Sequence, residues 1–243
     1  MAPLGPGQIS VVLICKNEVQ RIPKVLGGLL ARYGRWIHEI LVIDDDSTDG
    51  TPEIVTQWME QSSKVRLIRK GPPSGPGAAL KVGLQAVDPS VAWILSMDSD
   101  FEQSLPDVQG LIDKAGEGYE GVIGSRFIGG ARLTGYPVLK RFANRTFHKI
   151  AQGLFGILQE DLTNNFKLYR REVFDSLDLC SNGFAVNAET GLYPIVAGFR
   201  IAEAPVRWIQ RTGGRSHFHI WKEGAGYARV LWRAWQWRRA HRR

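Results

Sequence analysis

Two cysteines, Cys15 and Cys180, are all that the 243 residues contain, so neither a disulfide framework nor a cysteine metal cluster can be built. Cys15 closes an apolar run and reads as a small buried hydrophobe, and a reducing, cytoplasmic setting is the expectation. Long apolar runs are missing too. The longest uncharged stretch, residues 1–15, is broken by Pro3, Gly5, Pro6 and Gly7 and opens without a basic residue. The expectation is therefore neither a secretory leader nor a spanning helix. No internal repeat and no low-complexity linker divides the chain, whose length suits one well-cored domain with little room for a second. Acid is scarce at one end only: residues 207–243 hold ten Arg or Lys against Glu223 alone. The basicity belongs to a C-terminal appendage on a nearly neutral body.

What is present alternates. Ile9 to Cys15, Glu39 to Asp44, Val65 to Arg69, Val91 to Met97 and Gly121 to Ser125 read as short strands. Glu18 to Ala31, Thr51 to Glu60, Pro76 to Val87 and Pro106 to Lys114 read as the helices between them. Strand and helix at this spacing predict a mostly parallel sheet with right-handed crossovers, whose strand ends share one edge. Further on, Pro137 to Gly156 and Asn187 to Ala197 read as helices. Phe166 to Tyr169 reads as a strand, and Arg200 to Ile209 as a strand that Pro205 places at an edge.

The strand ends carry the polar chemistry. Val91 to Met97 stops at Asp98-Ser99-Asp100, and extended spacing points Asp98 and Asp100 the same way, about 6 to 7 Å apart at Cα. Oxygen donors so placed suit Mg²⁺ or Mn²⁺, a cation able to bridge a diphosphate; a solvated turn gives the same pattern. Asp44, Asp45, Asp46 and Asp49 crowd the turn after the second strand, as acceptors for a base or ribose or as a turn capped by Asp49 or Thr51. Lys16-Asn17-Glu18 offers a charge, an amide and an acceptor, or a cap by Asn17. The loop Lys70 to Gly77 lacks the ending of a phosphate-binding loop, and Leu80 fills the place of a third glycine. Close approach of its backbone to a nucleotide, at Gly77, stays open.

Taken in order, Cys15-Lys16-Asn17-Glu18, VIDDDSTDGT, GPGAALKVGL, MDSD, Gly124-Ser125-Arg126-Phe127 and DLTNNFKLYRREVF resemble the inverting GT-A glycosyltransferases of family 2. The likeness is nearest to the dolichol-phosphate mannose synthase group, which moves a sugar from a nucleotide to a polyprenyl phosphate. The resemblance runs from Ile9 to Ser216. It implies an α/β, GT-A (Rossmann-like) fold, a mostly parallel sheet with helices on both faces. It implies Mg²⁺ or Mn²⁺ on Asp98 and Asp100, with Glu102 joining them, and a GDP- or UDP-hexose held by Asn17, Glu18, Asp45, Gly77 and Asp98. Arg126, Arg141, Arg211 and Arg215, with Ser216, match positions that the family sets near the acceptor and donor phosphates; a solvated basic face is their other reading. Asp46 stands where the family has Gly, and Asn164-Asn165 where it has Gly-Ser or Gly-Gly.

A phosphate acceptor, with a second pKa of about 6, is largely dianionic at neutral pH and needs no general base. Glu189, followed by Thr190 where hydroxyl-directed relatives have an Asp, serves as a base, positions the sugar, or is a first-turn helix acid. The tail interleaves Trp221, Trp232, Trp235 and Trp237 with arginines. On a helix, Tyr227, Leu231 and Trp235 align, with Val230, Ala234 and Trp237 alongside. Trp with Arg marks an amphipathic helix on an anionic membrane surface or one packed on the body; no motif supports nucleic-acid binding.

The expectation is a GT-A domain over 1–220 and a basic Trp-rich tail over 221–243. Its activity is metal-dependent, inverting transfer of a hexose to a polyprenyl or dolichyl phosphate by a cytoplasmic, peripherally membrane-bound enzyme. Transfer to a glycan or glycolipid hydroxyl is the alternative. A phosphatase using Asp98 and a catalytically dead membrane adaptor stand further off.

Overall fold

The computed structural model describes residues 4–209 and 220–240. The first half alternates strand and helix: β1 (Ile9–Cys15), α1 (Ile22–Tyr33), β2 (Ile37–Asp44), α2 (Thr51–Gln61), β3 (Val65–Arg69), α3 (Pro76–Ala86), β4 (Trp93–Asp98), a 3-10 turn (Glu102–Asp107), α4 (Val108–Gly116) and β5 (Gly121–Ser125). Then follow β6 (Arg132–Thr134), α5 (Val138–Phe155), β7 (Lys167–Arg170), α6 (Arg171–Asp175), α7 (Val186–Val196), β8 (Ile201–Pro205), β9 (Arg207–Ile209) and α8 (Ile220–Ala240).

Seven strands form one sheet in the order β3-β2-β1-β4-β7-β5-β8, and β6 and β9 form a separate parallel ribbon. β1 to β4 run parallel; β7 enters between β4 and β5 antiparallel to both. Strand alternation sorts the core by face. Ile9, Val11, Leu13 and Cys15 of β1 pack under α1, α2 and α4, while Val12 and Ile14 face α3, α5 and α7. Cys15 is buried, and burial raises its thiol pKa, with Asp44 adding to the effect.

Several boundaries differ from the sequence reading. α1 starts at Ile22 and not Glu18, because Asn17 has φ +56° and the Glu18 carbonyl accepts from both Arg21 and Ile22 N–H to close a turn. The helix expected from Pro106 begins at Val108, after a 3-10 turn that contains this proline. The expected strand Arg200 to Ile209 is two strands in different sheets. The Val206 N–H bonds the Ser125 carbonyl, after which the chain leaves the large sheet for the ribbon. Pro205 does sit on an edge strand.

α8 packs on α5 and α7. Val230 and Ala234 are buried and Tyr227 meets Phe147 edge-on at 5.2 Å, whereas Trp235, aligned with Tyr227 by helical spacing, is 40 % exposed. Arg233 pairs with Asp178 at 2.7 Å, and Arg238 donates to the Leu154 carbonyl.

Candidate active site

The order β2-β1-β4 reverses the direction of winding at β1, and in open α/β sheets the crevice at such a reversal, beyond the carboxyl ends of the strands, takes the ligand. Register places the acids there: Asp44 lies opposite Cys15 and Asp98 opposite Ile14. Asp98 and Asp100 are both partly exposed. Asp98 Oδ1 accepts from Asn165 Nδ2 at 2.7 Å, and Asn165 Oδ1 accepts from Ser96 Oγ–H at 2.6 Å. Asn165 thereby fixes the direction of the carboxylate. Two partly exposed carboxylates at a strand end fit a hard cation that draws its other ligands from a diphosphate and water.

Glu102 faces Lys24 at 3.5 Å, and among the described residues no three acids, His or Cys form a metal-binding group. Two cations flank the carboxylates. Arg21 bonds Glu18 at 2.8 Å, and this bond, with smaller contributions from Asp100 and Glu102, raises its pKa. Burial pulls the Lys140 ammonium down, Arg126 adds to that, and Asp100 opposes it.

Asn17 and Glu18 lace the turn after β1 to the turn after β2. Asn17 N–H donates to Ser47 Oγ, its Oδ1 accepts from Thr48 N–H, and Glu18 N–H donates to Thr51 Oγ1, at 2.8–2.9 Å. Asp46 adopts φ +64°, a left-handed conformation that glycine takes without strain. Asp49 accepts from Val19 N–H and Thr51 N–H and so closes the turn ahead of α2, whose N-cap is Gly50.

Asp45 is engaged by the Lys70–Gly77 loop: Lys70 Nζ lies 2.7 Å away, and Ser74 Oγ–H and Gly75 N–H donate at 2.7 and 2.9 Å. Burial works against its charge, but these partners prevail and hold its pKa below the usual value. The close approach expected at Gly77 is to the chain itself. Its N–H and that of Ala78 donate to the Asn182 carbonyl at 2.8 and 3.1 Å, and a Cβ at Gly77 would fall 2.2 Å from Ser181 O.

The far side of the site holds the larger differences. Arg126 is buried, and its guanidinium fork grips buried Asp161: Nε to Oδ2 at 2.7 Å, Nη2 to Oδ1 at 2.9 Å, with Nη2 also on Thr163 Oγ1 at 3.2 Å. Asp161 was legible only as the acid that opens DLTNNF. Glu189, 2 % exposed, accepts from Cys180 N–H, Ser181 N–H and Ser181 Oγ–H at 2.8–3.2 Å. It clamps a turn and does not stand open as a base. Arg141 projects from α5 into solvent. Arg211, Arg215 and Ser216 lie outside the described residues.

Lys167 escaped the sequence reading, although a lysine within the run Phe166 to Tyr169 is a visible signal. It is buried, donates to the Asn187 carbonyl and Thr190 Oγ1 at 2.7 and 2.8 Å, and burial pulls its pKa down to about 7.

A parallel sheet with paired carboxylates at its switch point, an acid-rich turn beside them and an inserted antiparallel strand defines a GT-A glycosyltransferase. The chain belongs to Glycosyl transferase family 2, whose sequence profile matches residues 10–178. It is 25 % identical over 242 residues to the polyprenol monophosphomannose synthase of Mycolicibacterium smegmatis, covering 97 % of this chain and 89 % of that one. It is 30 % identical over 205 residues to the dolichyl-phosphate hexose transferase of Haloferax volcanii, covering 84 % of each. Among solved structures, glucosyl-3-phosphoglycerate synthase from Mycobacterium tuberculosis, bound to Mn²⁺ and uridine-diphosphate-glucose, superposes with a TM-score of 0.67. That match is 22 % identical and covers 92 % of this chain and 76 % of the other.

Proposed function

We propose that this glycosyltransferase moves a hexose from a nucleotide-sugar to a polyprenyl phosphate with inversion, on a divalent cation held by Asp98 and Asp100. The observation that carries the choice of acceptor is Glu189. The acid that a hydroxyl acceptor would use as its base is buried and engaged by three donors, whereas a phosphate dianion attacks without one. The names of the two relatives support the same acceptor class.

In the reaction, an acceptor phosphate oxygen forms a bond to the anomeric carbon from the face opposite the nucleotide. The bond from that carbon to the donor's β-phosphate oxygen breaks, and the nucleoside diphosphate leaves with the electron pair. A bound Mg²⁺ or Mn²⁺ would offset charge developing on the diphosphate. Asn165 orients Asp98, and Arg21 and Lys140 flank the pair. Asn17, Glu18 and Asp45 frame the nucleoside end. Of the arginines expected at the acceptor phosphate, Arg141 is free for that role among the described residues, while Arg126 is held by Asp161.

The enzyme meets its lipid at the membrane surface. No described helix is long and apolar enough to cross a bilayer. α5 exposes Val138 (83 %), Leu139 and Phe142 (70 %) beside Arg141, and α8 exposes Trp232 (56 %), Trp235 and Trp237 among arginines. Apolar side chains among cations suit an anionic interface.

The test is transfer of radiolabelled hexose from GDP- and UDP-sugars to polyprenyl phosphate. A lipid product labile to mild acid, absent after chelation and absent from Asp100→Ala, is expected. An acid-stable product or activity indifferent to chelator overturns the reading. Pelleting with anionic liposomes that weakens with salt and on Trp232→Ala/Trp235→Ala tests the surface; indifference to both refutes it.

A further inference from the structure

A second concavity opens on the α1 side of the sheet, between α1, the 3-10 turn and the β6–β9 ribbon, with a volume of about 520 Å³. Glycine at position 28 makes room for its wall, since a Cβ there would fall 2.5 Å from Leu105 Cδ1. Lys24, Arg32, Arg132 and Arg207 line the cleft against a single acid, Glu102.

Four cations around one small cleft repel one another, and the nearby carboxylates do not balance them. Asp107 holds Arg207 through a two-point contact, Nε and Nη2 on Oδ1 at 3.0 and 2.9 Å. Glu102 faces Lys24 at 3.5 Å. The guanidinium groups of Arg32 and Arg132 form no hydrogen bond or ion pair among the described residues, and both residues are exposed. They stand on different walls, α1 and β6. Two guanidinium groups facing one space from separate elements suit a tetrahedral oxyanion, whose oxygens accept from both forks. The cleft also has an address. Glu102, on its rim, follows Asp100 by two residues, so a ligand seated there lies beside the strand end. The nucleoside end, with Asp44, Asp45, Asp46 and Asp49, has the opposite charge.

We propose that this cleft binds a phosphomonoester. Its dianion matches the uncompensated charge of Arg32 and Arg132, and the headgroup of a lipid phosphate and a free phosphorylated compound share that chemistry. The binding claim is independent of the transferase reading; only the assignment to the acceptor lipid rests on it.

The experiment titrates inorganic phosphate, and separately a water-soluble ten-carbon prenyl phosphate, into the full chain and into Arg32→Ala/Arg132→Ala, by calorimetry with chelator present. Both substitutions are at exposed positions, and an unchanged circular dichroism spectrum and melting temperature identify the variant as folded. Saturable phosphate binding that weakens about tenfold or more in the double variant is expected, with recovery in Arg32→Lys/Arg132→Lys short of wild type. Equal binding by wild type and the alanine variant, or no saturable binding by wild type, overturns the proposal. Two supporting outcomes separate the sources. If prenyl phosphate competes with inorganic phosphate, and its KM rises about tenfold in the variant while the donor KM holds, the cleft takes the acceptor headgroup. If only inorganic phosphate is affected, the ligand is a free phosphomonoester. Failure of transfer to every acceptor would defeat the transferase reading and leave the phosphate titration standing.

Discussion

Arg126 offers the sharpest separation between what a motif suggests and what the structure does. As a phosphate contact, its replacement by Lys or Ala would damage turnover and leave stability alone. As the partner of Asp161, the reverse holds. Both groups are buried, and three donors from residue 126 converge on Asp161: the backbone N–H at 3.0 Å, Nε at 2.7 Å and Nη2 at 2.9 Å. Burial alone would raise the pKa of Asp161, but Arg126 outweighs it and keeps the carboxyl below its usual value. Arg126→Ala strands that charge, and breaking a buried pair from one side costs about 3–5 kcal/mol. At roughly 2–4 °C per kcal/mol for a chain of this size, Tm falls by about 6–20 °C. Asp161→Asn strands the guanidinium and falls in the same range. The double variant Arg126→Ala/Asp161→Asn leaves no unpaired charge, so it is less destabilised than the sum of the two single changes, and the cycle yields a coupling energy of about 1 kcal/mol or more. Because the folded-state pKa of Asp161 is depressed, its contribution is present above the unfolded carboxyl value of about 4 and is lost as pH falls below it. Thermal and urea melts of the four proteins, with donor binding measured on each, check this. An Arg126→Ala protein that melts with the wild type yet transfers no sugar would refute the structural role and restore the phosphate contact.

Asn165→Ala removes a charged hydrogen bond from Asp98, a loss of about 1.5–3 kcal/mol, so the Mn²⁺ concentration for half-maximal activity rises about ten- to a hundredfold, and Tm falls as the buried Ser96 hydroxyl loses its acceptor; an unchanged metal dependence contradicts the orienting role. His148 Nε2 accepts from Leu162 N–H at 2.6 Å and Nδ1 bonds the Asn144 carbonyl, a neutral ring whose pKa burial lowers. Stability is therefore fully supported above the unfolded pKa of about 6.5 and declines below it, and His148→Gln flattens that decline in urea melts between pH 5 and 7. Burial lowers Lys167 to about 7, so stability climbs from about pH 7 toward the unfolded lysine value of about 10.4; Lys167→Met removes the climb, and an identical profile in the variant contradicts it. Cys180 is exposed and Cys15 buried, so a thiol reagent titrates one group in the native protein and two in denaturant.

The parallel half of the sheet was legible because apolar runs fix both the strands and their faces: Val11 and Leu13 go one way, Val12 and Ile14 the other. Asp98 and Asp100 were legible because carboxylates that end such a run must lie at the sheet edge. What stayed hidden depends on partners distant in sequence. Arg126 meets Asp161 across 35 residues, and nothing local tells a buried ion pair from a phosphate clamp. Gly77 requires space for Ser181, more than a hundred residues away. Helical spacing aligns Trp235 with Tyr227 and Leu231 without saying which of the stripe is buried, and the buried seam belongs to Val230 and Ala234. There Gly226 lies against Ala185, and a Cβ at Gly226 would meet the Ala185 Cβ at 3.0 Å, too close for a broad ring.

These contacts form one connected frame around the nucleotide end. Glu189 grips the turn at Cys180 and Ser181, Asn182 then accepts from the first amides of α3, and the loop ahead of that helix bonds Asp45. A free helix N-terminus would have offered unpaired N–H groups and a positive dipole to a diphosphate. Here the N–H groups of Gly77 and Ala78 already have the Asn182 carbonyl, so α3 buttresses the site without cradling phosphate. On the proposed reading, a diphosphate's charge would be offset by a cation held by Asp98 and Asp100 at the end of β4, where Asn165 fixes Asp98, with Arg21 and Lys140 beside it. In that division Asp44 and Asp45 are buried at the end of β2, whereas Asp98 and Asp100 stay partly exposed at the end of β4, where the proposed chemistry would take place.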